Sequence, residues 1–227
     1  MRLAVIPARG GSKRIPHKNI KDFCGKPILA WSIEAALGSG CFDKVIVSTD
    51  DIKIAEVARK YGAEVPFYRP PELSNDYIGT IPVIHHAIDW YLEHGIEFEQ
   101  VCCIYATAPF VTSLDLREGL ALLQSNACDY VFSVTSFPFP IQRAIKINDN
   151  NRVEMFQPEH FNTRSQDLEE AYHDAGQFYW GNAQAWRDER IVFSERAIPY
   201  ILPRYRVQDI DTLEDWLQAE RLFAAYH

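Results

Sequence analysis

The sequence has little that would hold together a disulfide-rich or membrane-embedded protein. Its 227 residues include five cysteines, an odd number, and these form neither a C-x-x-C pair nor a zinc-binding spacing. No apolar run approaches the roughly 20 residues that a membrane-spanning helix needs. The amino-terminal MRLAVIPARGG is interrupted by Pro7 and Arg9, too early for a signal peptide. We therefore expect a cytoplasmic protein without a membrane partner, whose cysteines are small buried side chains.

Positive charge is scarce outside the first 26 residues. The chain has 23 basic and 31 acidic residues, a net charge of −8, yet residues 1–26 carry seven basic residues against the single Asp22. The rest of the chain therefore has a net charge of −14. A nucleic-acid-binding protein spreads its cations over a face, so no nucleic-acid partner is expected. One compact basic segment in an acidic chain predicts a local site for a small anion.

Apolar runs alternate with amphipathic stretches along the chain, with no internal repeat or long linker. The predicted strands span residues 3–8, 44–49, 64–68, 100–106, 130–136, 176–181 and 197–203, and the predicted helices 27–37, 51–62, 80–95, 114–126 and 211–226. The neighbours Cys102 and Cys103 should point to opposite faces of their strand. This alternation predicts a single α/β domain over residues 1–227, with a doubly wound, mostly parallel, Rossmann-like sheet. In such a sheet the ligand lies outside the carboxyl ends of the strands.

Residues 137–172 interrupt the alternation. They are polar and rich in aromatic residues, and they contain Pro138, Pro140 and Pro158. Prolines at this density disfavour both a continuous helix and a central strand. We expect an inserted arm here, formed by a hairpin, that pairs with another subunit.

The sharpest functional signal is PARGGSKRIPHKNI, residues 7–20, directly after the first predicted strand. Gly10 and Gly11 allow a close approach to a ligand or a positive φ, and successive N–H groups there can form an anion-binding nest. Further donors are Arg9, Ser12, Lys13, Arg14 and Lys18. The segment matches neither G-x-x-x-x-G-K-[ST] nor G-x-G-x-x-G, which disfavours a P-loop and a redox Rossmann enzyme. At the end of a strand, these residues predict a triphosphate site rather than a solvated basic loop.

A second candidate is the segment Asp209-Ile210-Asp211 before the last predicted helix. In extended backbone, residues i and i+2 share a face, and two carboxylates there suit Mg²⁺ when phosphate oxygens and water complete its coordination. Alternatively, Asp211 only caps the helix, with Glu214 as its partner; Asp209 precedes the cap. Together with the basic loop, a magnesium site would equip the protein for nucleotidyl transfer, because positioned cations stabilise charge on the leaving pyrophosphate.

These segments resemble the CMP-sugar synthetases, the acylneuraminate cytidylyltransferases that activate sialic-acid-type sugars. IPARGGSKRIPHKNI is similar to the amino-terminal signature of that family, KVIVSTDD (44–51) to its second strand and turn, FYRPPELSNDYIGT (67–80) to its R-P-x-x-L…D segment, and VQDIDTLEDW (207–216) to its metal-binding end. The order and spacing agree from residue 3 to about residue 217. The resemblance implies a Rossmann-like nucleotidyltransferase fold, CTP and an acidic sugar as substrates, Mg²⁺ as cofactor, and a homodimer in which an arm reaches the neighbouring site.

Residue by residue, the resemblance implies the following roles. The residues that would contact the nucleotide are Ala8, Arg9, Gly10, Gly11, Ser12, Lys18, Asn19, Arg69 and Ala106. Among them, Arg9, Ser12 and Lys18 would bind the phosphates, and Ala8, Arg69 and Ala106 would line the cytidine pocket. Asp209 and Asp211 would hold Mg²⁺ and, with Arg9 and Lys18, carry the catalysis.

Two segments bear on substrate recognition. The Q-P-T-S-P segment of the family is Tyr105-Ala106-Thr107-Ala108-Pro109 here, so backbone groups or another side chain must replace the base-reading glutamine. TRSQDLEEAYHDAGQFYWG (163–181) resembles the pseudaminic acid enzymes, whereas sialic acid enzymes usually have an N-G-A-I-Y-like string. The candidates for sugar binding are Arg164, Gln166, His173, Asp174 and Gln177.

The resulting hypothesis is that CTP and pseudaminic acid, an acidic nine-carbon 2-keto sugar, yield a CMP-sugar and pyrophosphate. His173 or a metal-bound water would accept the proton of the sugar hydroxyl. The nearest alternatives are the same transfer to N-acetylneuraminate, legionaminate or 3-deoxy-manno-octulosonate. A nucleotide-binding sensor without turnover is the alternative from a different class, and the Asp209/Asp211 pair argues against it, since a sensor needs no catalytic metal.

Overall fold

The computed structural model describes residues 1–226. Within them the strands are β1 (Arg2–Pro7), β2 (Asp22–Phe23), β3 (Lys26–Pro27), β4 (Lys44–Ser48), β5 (Gln100–Ile104), β6 (Tyr130–Ser136), β7 (Ile145–Ile147), β8 (Val153–Met155), β9 (Tyr172–Asn182) and β10 (Ala197–Ile201). The α-helices are α1 (Ile28–Ser39), α2 (Ile52–Lys60), α3 (Thr80–Glu93), α4 (Ser113–Ser125), α5 (Ala183–Arg187) and α6 (Leu213–Tyr226). None of the helices in this described part is long and apolar enough to cross a membrane.

Six strands of the described chain form one sheet, in the order β10-β6-β9-β5-β1-β4. β4, β1 and β5 pair in parallel, as do β6 and β10, whereas β9 runs antiparallel to β5 and β6. Strand β1 is apolar and buried on both sides, as expected when helices cover both faces of a sheet. The predicted doubly wound, mostly parallel sheet is confirmed.

Helices pack on both faces of the sheet. On one face, α1, α2 and α4 contribute Leu29, Ile54 and Leu120 to an apolar core. On the other face, α3 and α5 contribute Ile84 and Trp186. The central strands are therefore shielded, and their carboxyl ends remain the accessible edge at which a ligand can bind.

A third apolar cluster joins the two ends of the chain beside that edge. Ile15, which follows the glycines, and Ile210, which lies between the two aspartates, are each 1% exposed. They pack with Phe23 and with Trp216 and Phe223 of α6. Phe23 meets both α6 rings edge-on, with centroids 5.4 Å apart. Burial of this cluster holds the amino-terminal basic segment against the carboxyl-terminal acidic segment.

Residues 64–68 do not form the predicted strand. Isolated parallel bridges, from Ile46 to Glu64 and from Thr49 to Tyr68, hold this segment beside β4. Pro66 lies between the two bridges, and a proline has no N–H to donate to a continuous ladder. The strand prediction was wrong here because it relied on apolar content and discounted the proline.

Strand β9 differs from its prediction by being longer and antiparallel. It begins at Tyr172 instead of residue 176, and its register against β6 shifts between Phe132 and Val134. Gly176 adopts a φ of 61° at this bulge. The Ser133 Oγ accepts a hydrogen bond of 3.2 Å from the Phe178 N–H on the other side of the shift. A bulge of this kind re-aims the side chains of the strand that carries it.

The cysteines follow their prediction with one exception. Cys102 packs on the α1 face and Cys103 on the α3 face, as strand alternation requires. All five thiols of the described chain are free. Cys24 is exposed because it lies in the tight turn between β2 and β3, where its φ is 52°.

The segment between β6 and β9 leaves the main sheet. It contains the antiparallel hairpin of β7 and β8, in which Ile145 faces Met155 and Ile147 faces Val153. Phe139, Ile147 and Phe161 of this segment are 80%, 71% and 68% exposed. The segment therefore presents apolar side chains to its surroundings rather than to the core of its own chain.

Candidate active site

The glycine loop, residues 8–14, follows β1 at the carboxyl edge of the parallel strands. The Gly10 N–H donates to Asp50 Oδ1 over 2.9 Å, which fixes the loop beside β4. A Cβ on Gly10 would lie 2.7 Å from Asp51 Oδ2, whereas a Cβ on Gly11 would meet no described atom within 4 Å. Gly10 is thus required for close packing, and Gly11 leaves the backbone open to a ligand. The sequence predicted either a positive φ or a close approach at these glycines. Neither glycine has a positive φ, so the close approach applies.

A pocket of about 390 Å³ opens beside this loop, and we call it the first pocket. Seven of the residues predicted to form the site line it, namely Arg9, Ser12, Lys18, Asn19, Arg69, Ala106 and Asp211. The basic Lys13 and Arg14 line it as well. Among the described residues in its walls, five are basic and one is acidic, so the pocket favours an anion that carries several charges.

Lys18 connects the two ends of the chain inside this pocket. It begins a single 3₁₀ turn, Lys18–Ile20, immediately after His17, whose φ of 54° is unusual for a residue with a side chain. The Lys18 Nζ donates to the carbonyl oxygen of Ile210 over 2.6 Å and lies 3.5 Å from Asp211 Oδ1. The same carboxylate oxygen is 2.8 Å from Nη2 of Arg14. Lys18 is therefore held at the floor of the pocket by a fixed backbone oxygen and a carboxylate.

Asp211 does not cap the last helix. Thr212 and Asp215 do so instead: the Asp215 N–H donates to Thr212 Oγ1 over 3.2 Å, and Asp215 Oδ2 accepts from the Thr212 N–H over 2.8 Å. The alternative in which Asp211 caps the helix with Glu214 is wrong, because the cap lies one residue further along. The Asp211 carboxylate thus remains available to the pocket.

Asp209 lies on the same segment but is more exposed than Asp211 and stands outside the pocket lining. Partial desolvation, followed by the charge of Asp211, raises the pKa of Asp209, and Lys18 opposes this shift. The charge of Asp211 is therefore the second contribution to this shift, after desolvation. A nearby cation would favour the charged form of both carboxylates.

Arg9 reaches across the pocket to a residue that sequence analysis did not single out. Its guanidinium pairs with Asp76 Oδ1, and Lys13 Nζ lies 2.5 Å from Asp76 Oδ2. Hydrogen bonds from Lys13 and Arg9 lower the pKa of Asp76. Asp76 thus neutralises two of the pocket's cations. The signal for it was present in the R-P-x-x-L…D resemblance, but the aspartate had no assigned role.

The remaining nucleotide-site residues are buried small or polar groups. Asn19 donates from Nδ2 to the carbonyl oxygen of Arg9 over 2.9 Å, so it supports the glycine loop as well as lining the pocket. Arg69 is 5% exposed and donates from Nε to Ser74 Oγ over 3.3 Å. Burial lowers its pKa, while the charge of Asp50 acts in the opposite direction. Ala8 and Ala106 are buried just after β1 and β5, and Ala106 lines the pocket whereas Ala8 does not.

A second pocket, of about 170 Å³, adjoins the first through Thr80 and Tyr105, which line both. The Tyr105 hydroxyl lies 3.4 Å from Thr80 Oγ1 at this junction. The other walls are Ile81 of α3, Asp174 and Tyr179 of β9, Trp186 of α5, and Val192 and Phe193 from the loop before β10. The second pocket is therefore mostly aromatic and aliphatic, with one carboxylate from the described chain.

Asp174 is fixed by its own strand. Its Oδ2 accepts a hydrogen bond from the Tyr179 hydroxyl, and its Oδ1 accepts one of 2.9 Å from the Gly176 N–H. Burial raises the pKa of Tyr179, and the neighbouring Tyr105 and Asp174 raise it further. The phenol consequently stays protonated and donates to the carboxylate. Each carboxylate oxygen keeps a second lone pair for a ligand.

The other predicted sugar-site residues lie elsewhere. Of the five, all within the described chain, Asp174 alone lines the first or the second pocket. Gln177 is buried and donates from Nε2 to the Arg206 carbonyl oxygen over 2.6 Å, while the His173 Nδ1 lies 2.9 Å from the backbone oxygen of Asp174. Arg164 and Gln166 lie on an exposed turn, where the Arg164 Nε donates to Asp167 over 2.6 Å. A sugar contact by these four residues stays a prediction.

Comparison with known proteins agrees with this geometry. The sequence model of the family described as cytidylyltransferase matches residues 3–215. The chain belongs to the cytidylyltransferase family. This confirms the resemblance that the glycine loop and the carboxyl-terminal aspartates indicated.

Two curated relatives and one solved structure are similar to the chain over nearly its full length. It is 47% identical to the pseudaminic acid cytidylyltransferase of Campylobacter jejuni, over 99% of this chain and 97% of that one. It is 34% identical to the CMP-N,N'-diacetyllegionaminic acid synthase of Legionella pneumophila, over 97% and 95%. The structure of CMP:2-keto-3-deoxy-manno-octonic acid synthetase complexed with CTP superposes with a TM-score of 0.71, over 100% and 99% of the two chains. At 16% identity, that superposition shows a shared fold.

Proposed function

We propose that this cytidylyltransferase transfers CMP from CTP to pseudaminic acid and releases pyrophosphate. The observation that carries the proposal is the junction at Thr80 and Tyr105, where a cationic pocket opens into a mostly apolar pocket that holds one fixed carboxylate. Such a pair of pockets suits a triphosphate donor and a bulky acceptor that meet at one point. The 47% identity to a pseudaminic acid cytidylyltransferase supports this choice of sugar.

The first pocket takes CTP in this proposal. The anomeric hydroxyl oxygen of the sugar attacks the α-phosphorus in line, so one oxygen–phosphorus bond forms as the bond to pyrophosphate breaks, and the hydroxyl proton passes to solvent water. Lys18 and Arg9 stabilise the charge that collects on the leaving pyrophosphate. Asp76 is the counter-ion that the triphosphate replaces at Arg9 and Lys13. Positioning and electrostatics supply most of the acceleration, as in phosphoryl transfer in general.

Mg²⁺ is the proposed cofactor, held by Asp211 and Asp209. Asp211 lines the first pocket beside Lys18, and Asp209 lies two residues before it on the same segment. Residues 1–226 contain no cluster of three or more metal-ligating side chains. A pair of carboxylates suits Mg²⁺, which keeps several waters and takes phosphate oxygens of its substrate as further ligands. When bound, Mg²⁺ would polarise the phosphoryl oxygens and help to orient the triphosphate.

The second pocket takes the acceptor sugar. Its aromatic and aliphatic walls suit the carbon skeleton and acyl substituents of a nine-carbon sugar, and Asp174 can accept a hydrogen bond from a sugar N–H or O–H group. The sugar carboxylate would point toward the cations of the first pocket, away from Asp174, because like charges repel.

The exposed hairpin supports the proposal of a homodimer. Ile147, Val153 and Phe156 are each more than 60% exposed on the segment between β6 and β9. Burying them against a second copy of the chain would remove this apolar surface from water. Analytical ultracentrifugation of the wild type and of Ile147→Asp tests this: a dimer that becomes a monomer is expected, and a monomeric wild type would refute the arm's role.

The experiment that tests the proposed function measures pyrophosphate release with CTP and Mg²⁺. Pseudaminic, legionaminic, N-acetylneuraminic and 3-deoxy-manno-octulosonic acids are compared as acceptors. Release that depends on CTP, is highest with pseudaminic acid and stops on chelation is the expected result. Preference for another sugar would reassign the acceptor. Protein that binds CTP but turns over none of the four would favour the nucleotide sensor.

A further inference from the structure

A single buried carboxylate holds both ends of the loop that forms one wall of the second pocket. We call residues 188–196, between α5 and β10, the wall loop. Asp129 precedes β6, and its side chain is only 6% exposed. Its Oδ2 accepts a hydrogen bond of 2.6 Å from Arg196 Nε, and its Oδ1 accepts from Arg196 Nη2 and Arg190 Nη1 over 2.9 and 3.0 Å. Arg190 and Arg196 lie near opposite ends of the wall loop, so the Asp129 side chain links the two ends of that loop.

Backbone contacts reinforce this closure on the β6 side. The Asp129 N–H donates to the Arg196 carbonyl oxygen over 2.7 Å, and the Tyr130 hydroxyl donates to the Arg190 carbonyl oxygen over 3.1 Å. The Arg190 N–H donates to the Ala185 carbonyl oxygen of α5 over 3.0 Å. Both arginines are thus held through their main chain as well as through their guanidinium groups.

The residues between the two arginines are the ones that face the pocket. Val192 and Phe193 line it. The Phe193 ring stacks on Phe132 of β6 with centroids 5.1 Å apart, and Phe132 in turn stacks on Tyr179 at 5.9 Å. Phe193 is nevertheless 65% exposed. A wall residue with so little burial of its own depends on the anchored loop ends for its position.

We infer that Asp129 is a positioning residue that fixes Val192 and Phe193 and thereby sets the affinity and selectivity for the acceptor sugar. The inference rests on the proposed function of the second pocket and adds residues that do not touch the substrate. Because the first pocket shares no wall with this loop, the effect should be confined to the sugar. A merely structural role would instead reduce the amount of folded enzyme and leave both Michaelis constants unchanged.

The test compares Asp129→Asn with the wild type in steady-state kinetics with CTP and pseudaminic acid. We expect the KM for pseudaminic acid to rise about tenfold, as when a specificity pocket loses its contacts, and the KM for CTP to stay within about twofold. The ratio of kcat/KM between pseudaminic and legionaminic acid should fall. Asp129→Glu, which keeps the charge, should restore part of the loss.

Two further variants keep the test decisive if Asp129→Asn does not fold. Arg190→Gln and Arg196→Gln each remove one partner whose side chain is 41% or 62% exposed, so they should fold and give smaller shifts of the same kind. Asp89→Asn is the matched control, because Asp89 pairs with Arg187 at 3.1 Å on the surface between α3 and α5. It should leave both Michaelis constants unchanged.

A second readout does not depend on turnover. Hydrogen exchange at residues 191–195 should accelerate in Asp129→Asn and stay at the wild-type rate in Asp89→Asn. In an active enzyme, equal hydrogen exchange in all variants, or equal changes in both Michaelis constants, would contradict the positioning role of Asp129. A wild type that is inactive with all four sugars would overturn the proposed function and the selectivity role together, even if the exchange data showed a clamped loop.

Discussion

The first and second pockets share Thr80 and Tyr105, yet they are built from opposite chemistry. In the described chain, five basic side chains and one carboxylate line the first, whereas rings, aliphatic groups and a single carboxylate line the second. Charge acts over a distance and tolerates water, so the first pocket does not need to contact its ligand closely on every side. Apolar recognition depends on contact, so the second pocket needs walls in fixed positions.

The supports of the two pockets differ in the same way. The first is assembled by an apolar cluster that includes Ile15 and Ile210, residues from opposite ends of the chain, and Lys18 bonds across that join. The second is held by the bulge in β9 and by the buried Asp129 behind the wall loop. Apolar packing therefore positions the charged pocket, and a buried charge positions the apolar one. A substitution that affects one pocket should therefore change the kinetics for one substrate and leave those for the other substrate unchanged.

Asp211→Ala should have the largest effect and should fall on the first pocket. We expect kcat to drop about a thousandfold, because the charge that organises Lys18, Arg14 and the proposed Mg²⁺ is lost. Stability should change by less than about 1 kcal/mol, since the ion pairs of Asp211 are partly solvated. Kinetics at saturating Mg²⁺ and thermal melting measure both quantities.

Asp215→Ala is the control for that variant. Asp215 lies four residues further on and caps α6 with Thr212. It should lose about 1 kcal/mol of stability and keep most of its turnover. Near-wild-type turnover in Asp211→Ala would instead remove this carboxylate from the proposed metal site.

Lys18→Ala should have the next largest effect. Its ammonium is the pocket cation that bridges the Ile210 carbonyl and Asp211, so we expect kcat/KM for CTP to fall about a hundredfold. Lys21→Ala is the matched control, because the Lys21 ammonium lies over the Trp216 ring, 4.4 Å from its centroid. CTP binding by calorimetry separates lost affinity from lost chemistry. Unchanged kinetics in Lys18→Ala would move the phosphate site elsewhere.

The same contrast explains how much could be predicted from the sequence. The charged walls of the first pocket were largely predictable because, in the described chain, five of its six charged residues lie in the glycine-rich basic segment or at Asp211, and such a basic segment after a strand has few structural explanations. The second pocket was not, because its walls come from five separate segments. Val192 and Phe193 carry no chemical signal, and nothing in the sequence shows that Asp174 lines this pocket whereas Gln177 bonds to the Arg206 carbonyl oxygen.

The fold, too, was predictable from the sequence in some parts and not in others. Alternation of apolar runs predicted the main strands and helices, since burial on both faces leaves a clear pattern in sequence. It missed that β9 is antiparallel, because strand direction is set by the connections and not by composition. It also placed a strand at residues 64–68, where Pro66 prevents a ladder.

Asp174→Asn should give a smaller effect on the opposite pocket. The amide keeps the shape but loses the charge and one acceptor, so we expect kcat/KM for the sugar to fall about tenfold. The KM for CTP should be unaffected, which is the reverse of the Lys18→Ala pattern. Glu170→Gln, at the surface where Glu170 accepts from the Tyr172 hydroxyl, is the control. An equal fall in kcat/KM for CTP would show that the two pockets do not act independently.

The smallest expected effect is on the pH dependence of stability, and it distinguishes the carboxylates behind the two pockets. The hydrogen bond from Arg196 holds the pKa of Asp129 below its ordinary value, with a further contribution from Arg190. A carboxyl whose folded-state pKa is lowered stabilises the protein above its unfolded pKa of about 3.9, and this contribution is lost as the pH falls through the folded-state value.

The difference in unfolding free energy between wild type and Asp129→Asn should therefore be constant from about pH 5 to pH 7 and shrink below about pH 4. Urea unfolding at several pH values, with and without 0.5 M NaCl, measures it. The pKa of Asp76 is lowered as well, by Lys13 and Arg9, but its side chain is partly open to solvent. Salt should suppress the corresponding difference for Asp76→Asn more strongly than that of Asp129→Asn, because the Asp76 side chain is 36% exposed and the Asp129 side chain only 6%. Equal salt sensitivity in the two variants would show that the ion pairs of Asp129 are as solvated as those of Asp76, and the wall loop would then have to be held by its main-chain hydrogen bonds and by packing.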